Sequence, residues 1–141
     1  MKYIISLIFI MCAATIGFAQ DNEGIQFQNI SIDKAFDAAK KENKLVFVDY
    51  STVGCKPCKQ MEIEIFVLPE VAEVVNENFV SVKIDPIKNK AEEKRAREEY
   101  GVTGFPTFIF LNSEGKVLKD YSGYQNKEEF LTLVKEVLIL K

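Results

Sequence analysis

The chain has 141 residues, 48% of them hydrophobic and 28% charged, which is enough for one hydrophobic core and leaves little for a second domain. Its net charge of −3 gives no electrostatic reason to expect a nucleic acid or an anionic membrane surface as a partner. The chain contains no histidine and only three cysteines, a composition that disfavours a structural zinc site.

The first nineteen residues differ from the rest of the chain. Lys2 precedes a long apolar stretch that is short for a membrane span, and small residues close the segment. We therefore predict a secretory signal peptide over residues 1–19, cut between Ala19 and Gln20, and a single domain over residues 20–141. An uncleaved membrane anchor is the alternative. Both forms predict export, most simply to a bacterial periplasm.

Cys12 lies inside this apolar segment. Bulky Met11 precedes it, which fits lipid modification of a cysteine poorly, so we interpret Cys12 as a small apolar residue removed with the signal. The exported domain would then keep one pair of cysteines, Cys55 and Cys58. In an oxidising compartment such a pair either closes on itself or is kept reduced by another protein.

Strand and helix patterns alternate along the domain. Residues 25–29 alternate weakly and predict a short edge strand, and residues 31–43 have a serine N-cap and the apolar spacing of a helix. The continuous apolar, β-branched run at 45–50 predicts a buried central strand. A helix over 55–66 should follow, because Pro57 is tolerated in a first turn.

The second half of the domain continues this pattern. A proline fits the first turn of a helix over 69–78, the run at 79–85 predicts the next strand, and 88–100 predicts a charged, solvated helix. The triplet "SEG" separates two strand-like runs and predicts a hairpin. Asn126, with Glu129 three residues later, predicts the capped start of a last helix.

This order of elements predicts an α/β fold with a central mixed β-sheet flanked by helices. It puts Cys55 at a helix N-terminus on the carboxyl edge of the central strand, where active groups of such folds gather. The helix N-terminus favours the thiolate of Cys55, and Lys56 and Lys59 add positive charge nearby. Cys58 follows one turn later, so one sulfur can attack and the other can resolve the mixed disulfide.

Two simpler interpretations of the cysteine pair remain. Carboxylates could complete a metal site, although a closed structural zinc site needs four ligands. A purely structural disulfide is the other alternative, although a bridge that closes so small a loop stabilises a fold little. The pattern favours a redox-active pair that works without a metal or another cofactor.

Further motifs resemble the thioredoxin superfamily across the whole predicted domain. Asp49 lies six residues before the first cysteine, and a basic residue, Lys59, follows the second. Downstream lies a G-x-x-G-x-P-T segment, which consists of Gly101, Gly104, Pro106 and Thr107. With the C-x-x-C pair, these motifs imply a thioredoxin-like fold and disulfide chemistry.

The resemblance implies how a substrate would dock. The peptide bond before Pro106 would be cis and would face the cysteines, and the backbone of Phe105 would pair with the substrate chain. Thr107 would support this segment. Gly54 stands at the docking edge where the superfamily usually has Trp. The alternative is a purely structural proline at the start of a strand.

The resemblance also implies that Asp49 is buried near Cys58 and moves its proton, with a pKa raised by burial. A carboxylate that simply faces solvent at the strand end is the alternative. Two substitutions depart from the usual pattern around this site. Ser81 occupies the position of the usual basic neighbour of the buried aspartate, and Lys56 replaces the usual glycine between the cysteines.

The segment from residue 50 to 85 is more similar to exported thioredoxin-like domains typified by the C-terminal periplasmic domain of the transmembrane reductase DsbD. There too a cysteine helix is followed by a short "F…PEV" segment. Because this chain lacks an eight-helix membrane domain, the resemblance implies that a separate membrane-embedded protein supplies its electrons.

We therefore predict an exported, monomeric thiol:disulfide oxidoreductase that reduces protein disulfides. Cys55 is the expected nucleophile, Cys58 the resolving cysteine and Asp49 the proton acceptor. Pro57 favours the reducing direction, because a proline before the second cysteine recurs in reducing members of the superfamily. The alternatives are a disulfide isomerase or oxidase, and a non-catalytic module that uses the same groove to hold a partner.

Overall fold

The computed structural model of the protein describes residues 24–141. The predicted signal peptide over residues 1–19, its cleavage site and Cys12 therefore lie outside the described residues. Within residues 24–141, no helix combines the length and the apolar character needed to cross a membrane.

Five strands form one mixed sheet in the order β1-β3-β2-β4-β5. The strands are β1 (Phe27–Gln28), β2 (Leu45–Tyr50), β3 (Phe79–Ile84), β4 (Thr107–Leu111) and β5 (Val117–Ser122). β3 pairs in parallel with β1 and β2, whereas β4 runs antiparallel to β2 and β5. The predicted mixed sheet is confirmed, although β1 is shorter than the predicted strand over residues 25–29.

Five α-helices accompany the strands in the described part of the chain. They are α1 (Ile32–Glu42), α2 (Lys56–Gln60), α3 (Pro69–Asn78), α4 (Lys90–Lys94) and α5 (Lys127–Ile139). Residues from α1 and from the turn after α4 pack on one face of the sheet, and residues from α3, α5 and the turn after α2 pack on the other. The predicted capping box of α5 is present, with reciprocal bonds between Asn126 and Glu129.

The core is organised around β2, whose six residues are all buried because helices cover both faces of this central strand. Phe47 stacks on Phe110, with ring centroids 4.9 Å apart. It also lies within 6.2 Å of four further rings, those of Phe27, Phe66, Phe108 and Phe130. Truncating a buried phenylalanine typically costs about 3–5 kcal/mol, so this cluster holds β2 firmly under the helix that carries the cysteines.

The cysteine helix changes its geometry after one turn. The prediction was one continuous α-helix over residues 55–66, but α2 ends at Gln60 and a π-helical turn covers Met61–Ile65. In this turn the Phe66 N–H donates to the Met61 carbonyl, five residues earlier, at 2.8 Å. The wider turn lets Met61, Ile65 and Phe66 all bury against the sheet, which a spacing of 3.6 residues does not allow equally well.

The charged helix predicted over residues 88–100 also divides into shorter pieces. A 3₁₀ turn at Pro86–Lys88 comes first, and Asn89 then caps α4 by accepting from two backbone N–H groups. A second π-helical turn over Arg95–Glu99 closes the segment. The prediction missed the asparagine cap because charged residues of both signs occur on both sides of Asn89 and no apolar spacing marks the boundary.

Candidate active site

The cysteine pair lies directly beyond the carboxyl end of β2, as predicted. Cys55 is the N-cap of α2, and its Sγ accepts a hydrogen bond from the Cys58 N–H at 3.2 Å. The two cysteines form a disulfide with their Cα atoms 5.3 Å apart. Cys58 is buried, with 5% of its surface exposed, whereas Cys55 is only half-buried. An incoming thiol or disulfide therefore reaches Cys55 more easily than Cys58.

The residues next to the cysteines shape this turn. Gly54 is exposed and has a φ of +82°, a left-handed conformation that L side chains rarely adopt. Pro57 lies in the first turn of α2, where its missing N–H costs no helical hydrogen bond. Lys56 is exposed to solvent.

The second half of the site comes from the start of β4. Thr107 pairs with Tyr50 at the end of β2, which brings the preceding residues to the same edge of the sheet as the cysteine loop. The Phe105–Pro106 peptide bond is cis, as the resemblance implies. The Thr107 hydroxyl donates to the Gly104 carbonyl at 2.8 Å and so closes the turn around this bond.

Asp49 lies on β2 and is buried, with 2% of its surface exposed, so the interpretation of a solvent-facing carboxylate is wrong. Burial raises the pKa of Asp49 from its usual 3.8 to about 7, although the positive charge of Lys83 and a hydrogen bond with Ser51 lower it in part. Within residues 24–141, Asp49 Oδ1 has no hydrogen-bond partner. The carboxyl is therefore able to change its charge near neutral pH.

A cleft of about 560 Å³ opens beside the cysteines. Its walls include both cysteines and six charged residues, which are Lys56, Lys59, Glu62, Lys83, Asp85 and Lys88. Glu62 forms ion pairs with Lys59, at 3.1 Å, and with Lys83. The cleft gives solvent and ligands access to the disulfide from the side of α2 and β3.

A family model for the thioredoxin-like domain matches residues 32–138, which include every strand except β1. The chain belongs to the thioredoxin-like domain family. The similarity covers the cysteine pair, the buried Asp49 and the cis-proline segment in one continuous domain.

Known thioredoxin-like proteins resemble this chain over most of its length. The thiol:disulfide interchange protein DsbD of Tatumella citrea is 26% identical over 123 residues, which cover 84% of this chain but only 21% of that protein. The protein disulfide-isomerase of Datisca glomerata is also 26% identical and covers 84% of this chain, against 23% of its own length. This chain thus spans about a fifth of the length of these relatives.

Solved structures of thioredoxin-like proteins superpose on most of the chain. The solution structure of a Bacteroides thetaiotaomicron protein, provisionally described as a disulphide-isomerase, is 37% identical with a TM-score of 0.73, and the match covers 82% of this chain and 94% of that one. The reduced C-terminal domain of Neisseria meningitidis DsbD is 28% identical with a TM-score of 0.61, covering 73% and 90% of the two chains. The predicted thioredoxin-like fold with similarity to DsbD is confirmed.

Two residues of this thioredoxin-like site were missed by the sequence analysis. Lys83 supplies the positive charge near Asp49, whereas the position of the usual basic neighbour, two residues earlier on β3, is occupied by Ser81. Glu62 lies on the cysteine helix and holds Lys83 in an ion pair. Glu62 could have been found from its spacing, because it lies four residues after Cys58 on the same helix. Lys83 could not, because the partner of Asp49 depends on the register between two strands.

The described part of this thioredoxin-like chain, residues 24–141, contains no group of three or more His, Cys, Asp or Glu side chains placed to hold a metal ion. Near the disulfide, Glu62 forms ion pairs with Lys59 and Lys83.

Proposed function

We propose that the protein is an exported thiol:disulfide oxidoreductase that reduces disulfides in other proteins. The observation that carries the proposal is the disulfide between a half-buried Cys55, at the N-cap of α2, and a buried Cys58 one turn later. Such a pair separates the two tasks of the reaction, because one sulfur meets the substrate and the other waits behind it.

In the first step, the reduced protein acts through Cys55. Its thiolate attacks one sulfur of the substrate disulfide, which forms a mixed disulfide and releases the other substrate sulfur as a thiolate. The hydrogen bond from the Cys58 N–H to Cys55 Sγ favours the negative charge on this sulfur, as does the positive end of the helix. Phe105 and Pro106 would hold the substrate chain, and the exposed backbone at Gly54 would leave room for it.

In the second step, Cys58 resolves the mixed disulfide. Asp49 takes the proton from the Cys58 thiol, and the resulting thiolate attacks Cys55 Sγ. The Cys55–Cys58 disulfide forms, the second substrate sulfur leaves, and two electrons have passed to the substrate. A carboxyl group with a pKa of about 7 is suited to accept this proton at neutral pH.

The proposal includes a compartment and a source of electrons. Similarity to DsbD proteins supports a periplasmic location and a membrane-embedded dithiol donor that returns the disulfide to the reduced form. The signal peptide predicted over residues 1–19 is consistent with that location. We further propose that the domain works as a monomer, with protein dithiols and disulfides as its partners.

A disulfide isomerase is the second candidate function. It is favoured by similarity to a protein disulfide-isomerase and to the Bacteroides thetaiotaomicron protein that is described in the same way. The two functions differ in the reduction potential of the cysteine pair, which is higher, that is more oxidising, in an isomerase than in a reductase.

The redox equilibrium of the purified protein in glutathione or dithiothreitol buffers tests this proposal, with the thiols of Cys55 and Cys58 quantified by alkylation. A potential near roughly −250 mV or lower supports the reductase, whereas a potential near roughly −180 to −120 mV supports an isomerase or oxidase. A pair that never exchanges would leave only a module that binds partners. The Cys55→Ser and Cys58→Ser double variant, tested for partner binding, is the matched control for that outcome.

A further inference from the structure

The cleft beside the disulfide has a surplus of positive charge, although the chain as a whole is acidic. Four lysines and two acids line the cleft, namely Lys56, Lys59, Lys83 and Lys88 against Glu62 and Asp85. The whole chain has the opposite balance, with 18 basic and 21 acidic residues. Positive charge is therefore concentrated at the opening through which a substrate reaches the disulfide.

The acids of the cleft do not balance all of its lysines. Three of the lysines form ion pairs inside the cleft, and these pairs are Lys59–Glu62, Lys83–Glu62 and Lys88–Asp85. The fourth, Lys56, is exposed next to Cys55 and forms no ion pair in the described part of the chain, residues 24–141. Because Glu62 is shared by two lysines, it can balance the charge of only one of them. The cleft therefore offers unbalanced ammonium charge to a ligand, part of it on the residue that follows Cys55.

The lysines lie on a defined side of the reacting sulfur. At the end of β2, Tyr50 lies between the end of β3 and the start of β4. Lys88 follows β3, whereas the proposed docking residues, Phe105 and Pro106, precede β4. A substrate chain that is held at the docking residues and bonded to Cys55 therefore has its residues beyond the bonded cysteine within reach of the cleft.

We propose that the preferred substrates are proteins in which acidic side chains flank the disulfide, and that the lysines of the cleft select them. The proposal rests on the proposed function, because it adds a substrate class to the same disulfide exchange. Charges of one sign that line a cleft raise the local concentration of oppositely charged ligands and orient them during encounter. The lysines keep their charge throughout and take part in no bond of the exchange; they act on how often, and in which orientation, a substrate disulfide meets Cys55.

The experiment measures second-order rate constants for the reaction of the reduced protein with synthetic peptides. The peptides share one intramolecular disulfide and differ only in the residues that flank it, which are Glu, Gln or Lys, and alkylation of the Cys55 and Cys58 thiols follows the reaction. At low ionic strength the Glu peptide should react about 10-fold faster than the Gln peptide, and the Lys peptide should be the slowest. In about 1 M salt the screening length falls to about 3 Å, so the differences should nearly disappear.

Lysine variants then locate the effect. Lys56→Gln should reduce the ratio of the Glu-peptide rate to the Gln-peptide rate about threefold, and Lys88→Gln should reduce it less, because its charge is already paired. The ratio cancels any change in the reactivity of Cys55 itself, which would affect both peptides alike. The matched control for the double variant is Lys40→Gln with Lys41→Gln, which changes the net charge equally. These two lysines are exposed in the last turn of α1, outside the cleft, so the control should keep the wild-type ratio.

A charge reversal completes the test, because Lys56→Glu with Lys88→Glu should make the Lys peptide a better substrate than the Glu peptide. Equal rates for the Glu and Gln peptides with the wild type would overturn the proposal, as would a preference that survives high salt or the loss of both lysines. In each of these cases the reductase function stands, because the Gln peptide is still reduced. If the reduced protein exchanges with none of the peptides, the proposed function fails, and the substrate class fails with it.

Discussion

Asp49 and Tyr50 are neighbours on β2 and point to opposite faces of the sheet. Both are buried acids, but burial places their pKa values differently relative to neutral pH. Asp49 faces the cysteine helix, with its pKa raised by burial to about 7. Tyr50 faces the other helical layer, where burial raises the pKa of its phenol further above its ordinary value, helped by the negative charge of Glu92. Burial thus brings the pKa of the carboxyl group close to neutral pH, whereas it moves the pKa of the phenol, ordinarily 10.0, further away from neutral pH.

The charges around the two residues differ in the same way. On the Tyr50 side, Arg95 is surrounded by acids, with Asp33 at 3.1 Å, Glu92 at 3.4 Å and Glu99 at 3.9 Å. On the Asp49 side, the nearby cation is shared with Glu62. Arg95 therefore has three acidic partners on one face, whereas on the other face the cation near Asp49 is already paired with Glu62. The comparison teaches that burial alone does not identify a functional polar group on this sheet.

The largest expected effect is the contribution of Asp49 to the pH dependence of stability. A carboxyl group with a raised folded pKa binds its proton more tightly in the folded state, so its stabilisation is complete below pH 3.8 and is lost as pH rises through about 7. Relative to Asp49→Asn, the wild type should lose about 4 kcal/mol of unfolding free energy across that window. Urea unfolding of both oxidised proteins at several pH values measures this difference. A constant difference would mean that Asp49 does not titrate in this range.

The second prediction concerns the reaction itself. Asp49→Asn removes the proton acceptor, so resolution of the mixed disulfide by Cys58 should slow about 100-fold at neutral pH. Quenched-flow alkylation measures the lifetime of the mixed disulfide. Tyr50→Phe, the adjacent change on the opposite face, is the matched control and should leave this rate unchanged. Equal slowing in both variants would point to a general disturbance of β2.

The third prediction tests the charge cluster on the Tyr50 side. Arg95→Met leaves Asp33 and Glu92 without their cation, and we expect a loss of about 2 kcal/mol in unfolding free energy, because the guanidinium is largely shielded from solvent. Arg97→Met, which loses only one exposed ion pair with Glu93, should cost about 0.5 kcal/mol or less. Denaturation midpoints compare the two. Disulfide exchange should be unaffected in both, and a slower exchange in Arg95→Met would contradict the separation of the two faces.

The smallest expected effect is that of Tyr50→Phe on stability. Within residues 24–141 the buried Tyr50 hydroxyl has no hydrogen-bond partner, so its removal should raise the unfolding free energy slightly, by about 1 kcal/mol at most. The same urea titration measures it. A clear loss of stability would show that the hydroxyl makes a favourable interaction in solution.

Much of the fold could be predicted because its signals are local. The apolar run of β2, the serine cap of α1 and the capping box of α5 each depend on a few consecutive residues, and the structure confirms all three. The interruptions of the helices could not be read in the same way. The turn at Met61–Ile65 widens so that Met61, Ile65 and the following Phe66 are buried, and a helical period assigned to the segment alone carries no information about the surface that buries them.

For the site, the sequence by itself determined the cysteine pair, the proline that is cis and the aspartate before them, because these groups lie at recognisable spacings along one chain. Only the tertiary structure decided which charge stands beside Asp49. That choice depends on the register between β2 and β3, where Lys83 rather than Ser81 is the direct partner, and on a helix turn that brings Glu62 to the same lysine. Electrostatic interactions act through space over a few ångströms, so the pKa of Asp49 follows from packing between elements that the sequence lists far apart.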